Sequence, residues 1–361
     1  MTLSNIANIR LLSQQIVGTK FKSPKDIVSW MGAMQAQDYA MAKWAVGVRL
    51  PGSTEKEIET AVDNGQIIRT HVLRPTWHLV PAEDIYWMLE LTAPHIKSAY
   101  NSNNKRLELD ESIFSKCNKI IEKTLSGGNH FTREELVTEI KKAKIPIDTP
   151  RAIHIMLHAE LDGVICSGVK KGKKQTCALL AERVPKVKTL PREEALAKLA
   201  KKYFTSHCPA TLKDFIWWSG LPVKDARQGL EMIKSGFVSE TIDSETYWFP
   251  NSFSLPKSFN PSVYLLPAFD EFTISYRNRR ASVPEEHHTK AISSNGIFRP
   301  IIVVDGKVTG LWRRIPKKDK IIIETAYFHP HDKLTKSLLE KAVVDFGKFL
   351  DKKTEVSHNV G

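Results

Sequence analysis

The chain has 361 residues, with 53 Lys and Arg against 40 Asp and Glu, a net charge of +13. Hydrophobic residues make up 42% and aromatics 9%, which is enough apolar surface for a buried core and excludes a disordered chain. The absence of any apolar run of about 18 residues excludes a membrane-spanning helix, and four cysteines without a Cys-x-x-Cys pair argue against a disulfide scaffold or structural zinc site. Length predicts about two to three domains. The opening MTLSNIANIR lacks the basic-then-apolar pattern of a signal peptide. A cytoplasmic, nucleoid-associated protein is therefore expected, and the positive excess points to nucleic acid as partner.

Ser23-Pro24 reads as an N-cap followed by proline at the first helical position. Ile27, Val28, Trp30, Met31 and Met34 then recur at helical spacing. A further helix is predicted from Thr54 to a stop at Asn64-Gly65. Ile67 to Val80 is rich in β-branched and aromatic residues and reads as two strands broken at Arg74-Pro75. Pro81-Ala82-Glu83-Asp84 opens the next helix. Helix, helix, helix, hairpin is the order of a winged helix-turn-helix.

The plan repeats. Asp110 to Ser126 reads as a helix stopped by Gly127-Gly128, and Thr132 to Glu135 as a capping box for a helix to about Lys144. Asp148-Thr149-Pro150 caps a third helix ending at Asp162-Gly163. Val164 to Leu180 follows as two strands around a lysine-rich tip, with Cys166 and Cys177 facing each other. After a Pro/Lys-rich connector (Val184 to Leu190), helices are predicted from Pro191, Thr211 and Pro222. Phe237 to Pro250 forms a hairpin about Asp243-Ser244-Glu245. From Asn260 the segments are β-rich, Asp305-Gly306 is a hairpin signal, and a last helix is predicted from Asp332 to Leu350.

The fold class expected is α+β: three tandem winged helix-turn-helix units and a C-terminal β-rich, barrel-like domain with a curved antiparallel sheet. The boundaries are 1–104 (with Gln35 to Gln37), 105–185 (with the lysine-tipped wing), 186–255 and 256–361, and the assembly curves around duplex DNA. Phosphate contact needs Lys and Arg on protruding loops. Lys170, Lys171, Lys173 and Lys174 sit at a hairpin tip. Arg69 and Arg74 lie on the first hairpin. Arg277, Arg279 and Arg280, with Arg313 and Arg314, mix with aromatics and complete the DNA-binding candidates.

Catalytic signals are sparse. The chain has no phosphate-binding Gly-x-x-x-x-Gly-Lys loop and no His-Glu-x-x-His. His154 and His158 have metal-like spacing but no acidic third ligand, and His287-His288 is weaker still, so no metal and no cofactor are expected. One segment stands out, Gly32 to Arg49. Gln35 and Gln37 are two apart, and helical geometry would point them about 200° from each other. They serve one site only if the helix begun at Pro24 ends near Gln35. The alternative is that both amides cap a helix end or bond nearby backbone.

Gln35-Ala36-Gln37 resembles the Gln-Φ-Gln catalytic motif of the AlkZ/YcaQ family of winged-helix DNA glycosylases. Arg69 to Asp84 resembles the family's R-T-x-x-x-R-x-T-x-H-L-V segment. Leu161 to Leu180 resembles its D-G-x-x-x-x-G-x-x-x-G-K wing. Leu265 to Arg279 and Asn295 to Arg314 resemble its C-terminal signatures. The resemblance spans nearly the whole chain, and Gln at the third motif position places it with the AlkZ-like branch rather than the Gln-Φ-Asp one. Pro75 departs from the small residue common there.

The resemblance implies a monofunctional DNA glycosylase for alkylated, cationic purines, including bulky adducts or interstrand crosslinks, acting in base excision repair. Gln35 and Gln37 would orient the water. Asp38 is the second candidate for the chemistry, and Arg74 and His78 would line the site. Double-stranded DNA is the expected partner, with no membrane contact, and the chain is expected to act as a monomer. The competing readings are a non-catalytic winged-helix DNA-binding regulator and a protein-interaction scaffold.

Overall fold

A computed structural model describes residues 2–186, 190–254, 256 and 258–358. In chain order the elements are α1 (Leu3–Ser13), α2 (Pro24–Met31), β1 (Met34–Gln35), α3 (Tyr39–Gly47), α4 (Glu55–Asp63), β2 (Ile67–Val72) and β3 (Arg74–Pro81). Next come α5 (Ile85–Arg106), α6 (Glu111–Leu125), α7 (Arg133–Lys142), α8 (Thr149–Leu161), β4 (Ile165–Ser167), β5 (Cys177–Leu179) and α9 (Leu180–Arg183). They are followed by α10 (Arg192–Ser206), α11 (Leu212–Ser219), α12 (Val223–Ile233), β6 (Phe237–Ile242), β7 (Glu245–Pro250), β8 (Val263–Leu266) and α13 (Glu271–Ile274). The last are α14 (His288–Ala291), β9 (Ile301–Val304), β10 (Lys307–Pro316), β11 (Lys320–Tyr327), α15 (Lys333–Phe349) and β12 (Lys353–His358). The fold is mixed α+β. It divides into two compact units, one of residues 1–59, 196–218 and 222–361, the other of 60–195 and 219–221.

The larger unit is built on a five-stranded sheet, order β12-β11-β10-β9-β8. Asp305 and Gly306 take positive φ (48° and 79°) in the turn joining β9 to β10, as an Asp-Gly hairpin signal requires. The pairing shifts register between Val308 and Gly310, a bulge that bends the strand. A side chain at Gly310 would strike the Ala326 carbonyl, its Cβ only 2.7 Å away. The sheet is not wholly antiparallel, because β12 returns after α15 and pairs parallel with β11. The crossover helix α15 allows this pairing. Its ends match expectation: Asp332 caps it and Leu350 closes it.

α3 is held on this framework. Trp44 Nε1 donates to the Leu265 carbonyl at 2.7 Å, and its ring meets Phe346 and Phe349 at 4.9 and 5.1 Å. Trp312 packs on the same Phe346 at 5.1 Å and donates to the Leu266 carbonyl at 2.8 Å. Gly47 admits this approach, since a Cβ there would lie 2.5 Å from the Phe349 ring. The segment leading into α3 is therefore fixed at its C-terminal side by a buried aromatic cluster.

The smaller unit shows how far local signals carry. Thr132 and Glu135 bond each other's backbone N–H at the start of α7, the capping box read from sequence. Asp148 caps α8 with Pro150 in its first turn, and Gly163 follows the end of that helix at φ 68°. Phe114, Cys117, Ile121, Leu136, Ile140, Ile155 and Ile165 form its core. Two details differ from expectation. The β2–β3 turn is at Leu73 (φ 63°), one residue early, so Pro75 lies inside β3. Cys166 pairs with Ala178 and Cys177 with Ser167, so the two cysteines are offset rather than opposed.

Helices α10 to α12 and the β6–β7 hairpin follow the predicted order, with Asp243 and Ser244 at positive φ in the turn (49° and 64°). Residues 187–189 of the Val184–Leu190 connector lie outside the described residues. No described helix is long and apolar enough to cross a membrane.

Candidate active site and nucleic-acid interface

The helix begun at Pro24 stops before the glutamines. α2 ends at Met31, and Gly32 caps it at φ 79°, a conformation other residues rarely adopt. The chain is extended through Met34–Gln35 and resumes as a helix at Tyr39. Helical opposition of Gln35 and Gln37 is thereby removed, as the sequence required. Gln35 is buried and Gln37 is exposed. Asp38 is exposed too, and its carboxylate accepts from Met41 N at 3.1 Å as the N-cap of α3.

Beneath β1 lies a buried polar network that sequence reasoning missed. Glu271, 1% exposed, accepts from the Gln35 backbone N–H at 2.5 Å through Oε1. Its Oε2 accepts from Trp218 Nε1 at 3.3 Å and from the Ser275 hydroxyl, and lies 3.7 Å from His207 Nε2. Burial alone would push this carboxyl up, but His207, Ser275 and the Gln35 N–H favour the anion and hold it down at about 2. Burial lowers His207, which stacks on Tyr203 at 4.8 Å.

The adjacent Asp270 pairs with Arg49 through two bonds of 2.8 Å, both side chains being fully buried. Gln14 bridges outward, accepting from Arg49 Nη2 and donating to the Glu271 carbonyl and the Tyr276 hydroxyl. Asp270 and Glu271 occupy the C-terminal signature around Leu265 to Arg279. Their neighbours were legible there, but their burial and partners were not.

The predicted DNA-binding residues differ in how they are presented. At the tip of the β4–β5 hairpin, Lys171 and Lys174 bridge across a turn with Gly172 at φ 60°. Lys171, Lys173 and Lys174 are exposed and Lys170 is half-buried. Lys171 lies 3.3 Å from Glu135 and 4.8 Å from the Phe131 ring centre.

Arg69 is not a surface cation. It is buried with its guanidinium 4.3 Å from the Trp77 ring centre, near a Glu160 held by His71 at 2.6 Å. Arg74 is half-buried, and His78 is fully buried with Nδ1 2.9 Å from the Thr76 carbonyl. These residues and the four lysines belong to the smaller unit. Gln35, Gln37 and Asp38 belong to the larger one.

In the larger unit, Arg277 and Arg280 are exposed, and the Asp214 carboxylate accepts from the backbone N–H groups of Arg277 and Asn278. Arg279 is half-buried, donates to the Thr273 carbonyl at 2.9 Å and packs on Trp217 and Phe298. It braces the loop rather than projecting from it. All three line a cavity of about 510 Å³ that also holds Asp243, Glu245 and Glu285, so the charge there is mixed. Arg313 is exposed and paired with Glu324, and Arg314 is half-buried.

His154, His158 and His287 have local partners. His158 stacks on Phe114 at 3.7 Å and bonds Asp162 at 3.0 Å, and His154 lies 2.6 Å from Asn104 Oδ1. His287 is buried against Phe328.

Comparison with known proteins places this arrangement. The family described as "DNA glycosylase AlkZ-like" matches residues 28–349. A relative from Streptomyces sahachiroi, the "Interstrand DNA cross-link repair glycosylase", is 22% identical over 320 residues, covering 82% of this chain and 83% of the relative. The solved structure of "Streptomyces sahachiroi DNA glycosylase AlkZ" superposes with a TM-score of 0.81 at 18% identity, covering 99% of this chain and 100% of that one. The two share their fold. The chain belongs to the AlkZ-like DNA glycosylase family. It is accordingly an enzyme of the N-glycosyl bond joining base to sugar.

Proposed function

We propose that this enzyme removes alkylated, positively charged purines from double-stranded DNA, bulky adducts and interstrand crosslinks included. The observation that carries the reading is the break in helical backbone between Gly32 and Asp38, which releases Gln35 and Gln37 from opposite helix faces. The relative's activity on interstrand crosslinks supports the wider substrate range.

The chemistry suits neutral amides. Cleavage of the glycosyl bond passes through an oxocarbenium-like state, as in glycosidases. An N-alkylated purine already carries positive charge, so it departs without a proton from a general acid. The enzyme must then hold a water in line and stabilise developing charge, and an amide carbonyl can accept from that water. Asp38 is engaged as the cap of α3, which supports the glutamines as the water-orienting pair. The products are the free base and an abasic site.

The segments 1–104, 105–185 and 186–255, each with helices leading into a hairpin, are read as three winged-helix units, followed by the β-rich segment 256–361. The exposed lysines of the β4–β5 tip contact backbone phosphate, as a wing does. The chain acts as a monomer.

The reading is tested with two duplexes, one carrying a cationic N-alkylated purine and one unmodified, assayed for alkali-labile abasic sites. Abasic sites are expected only in the first. Equal cleavage of both, or of neither, contradicts the proposal.

A further inference from the structure

Resting on the reading of Gln35 as a water-orienting residue, we propose that Glu271 is its positioning residue. Glu271 is a buried anion that sets the direction of the Gln35 side chain by gripping the Gln35 peptide. It touches neither water nor substrate in this role.

The geometry separates the work of its two oxygens. Oε2 accepts from two sides, from the Trp218 indole and the Ser275 hydroxyl, with His207 Nε2 3.7 Å away. That leaves Oε1 aimed at the Gln35 N–H, 2.5 Å away. β1 is only two residues long and follows a glycine cap, and the Glu271 carboxylate gives its last peptide a fixed, buried acceptor. Charge-assisted bonds from carboxylate to backbone N–H are the stronger class. A misplacement of about 1 Å in a positioning group can cost about 100-fold in rate.

Substitution by glutamine shows why charge matters here. Glu271→Gln can keep an oxygen towards Gln35 only by turning its NH₂ towards the Trp218 indole N–H, which can only donate. The reversed amide sets NH₂ against the Gln35 N–H. Either way one donor faces another, and the grip on the Gln35 peptide loosens.

The test is a double-mutant cycle in single-turnover base release from a duplex carrying a cationic N-alkylated purine, with DNA affinity and thermal melting measured on each variant. Gln35→Ala and Glu271→Gln are each expected to slow release by about 100-fold, with DNA affinity unchanged. If Glu271 acts through Gln35, the double variant is no slower than the slower single one.

A double variant slower by the product of the two effects overturns the proposal, since Glu271 would then act independently of Gln35. An unimpaired Glu271→Gln also overturns it. Wild-type release by Gln35→Ala alone contradicts the water-orienting role itself, and so separates that failure from this one. Should Glu271→Gln not fold, Ser275→Ala takes its place in the cycle. A slowing that vanishes in the Gln35→Ala background supports positioning. A slowing that persists there, or no slowing at all, overturns it.

Discussion

Two adjacent carboxylates, Asp270 and Glu271, hold much of the larger unit's buried charge, each in a different bargain with its surroundings. Asp270 meets the Arg49 fork with two bonds of 2.8 Å and also accepts from Phe272 N at 2.9 Å. Such a pair adds little over an apolar replacement, but removing one partner strands the other charge in the interior. Arg49→Ala is therefore expected to cost about 3–5 kcal/mol, measured by chemical denaturation. The charge-conserving Arg49→Lys recovers only part of this, because Lys cannot form the fork. A loss below about 1 kcal/mol for Arg49→Ala would show the pair to be solvated, as surface pairs are.

None of this was legible residue by residue. Gln35 and Glu271 are 236 positions apart, and no local pattern encodes their meeting. What the sequence did carry was the need for a helix break, because the spacing of the two glutamines made sense only off a helix. Arg69 shows the opposite error. A basic residue on a predicted hairpin looks like a phosphate contact, yet its neighbours Trp77 and Glu160 give it a stacking and charge partner inside the protein.

At the scale of elements, the signals that held were those whose physics is complete within four or five residues. Caps at Ser23, Thr132, Asp148 and Asp332 satisfy N–H groups that a helix start leaves open. Asp305-Gly306 offers the positive φ its turn needs. What failed was pairing decided at a distance or against propensity. β12 joins the sheet in parallel after α15, and the hairpin turn falls on Leu73, a residue not built for positive φ. The last turn of the lysine hairpin was legible from Gly172 and its flanking lysines. Lys173→Ala/Lys174→Ala is expected to lower the slope of log affinity against log salt by about 1.8, at about 0.9 for each phosphate no longer neutralised. Base release at saturating enzyme should be unaltered. An unchanged slope would place the hairpin away from the DNA backbone.

At the scale of the molecule, both units contain a carboxylate held far below its usual range. Glu271 in the larger unit is held at about 2 despite burial, by His207, Ser275 and the Gln35 N–H. Asp162 in the smaller unit is also at about 2, where burial is outweighed by His158 and Lys97. A carboxyl depressed on folding contributes stability that is fully present above its unfolded value and is lost as pH falls through its folded value. The unfolded values are 4.5 and 3.8. The share of stability from these two carboxyls is therefore expected to be level above about pH 5 and to fall progressively between about 4.5 and 2, below an earlier fall that begins near 6.5, where histidines lowered by burial, His207 among them, charge on unfolding. Glu271→Gln and Asp162→Asn should each flatten part of the lower fall in acid denaturation followed by circular dichroism. A wild-type profile in both variants would contradict the assignment. The charge of +13 suits the whole chain to polyanions, yet it identifies no lesion and no catalyst, and the proposed chemistry is assigned to two uncharged side chains.

The most direct measurement is therefore single-turnover release of a cationic N-alkylated purine from duplex DNA by the wild type and by Gln35→Ala/Gln37→Ala. Wild-type release with a loss of at least about 100-fold in the double variant, at equal DNA affinity, is the expected result. Release at the same rate by both proteins would contradict the role given to the two glutamines.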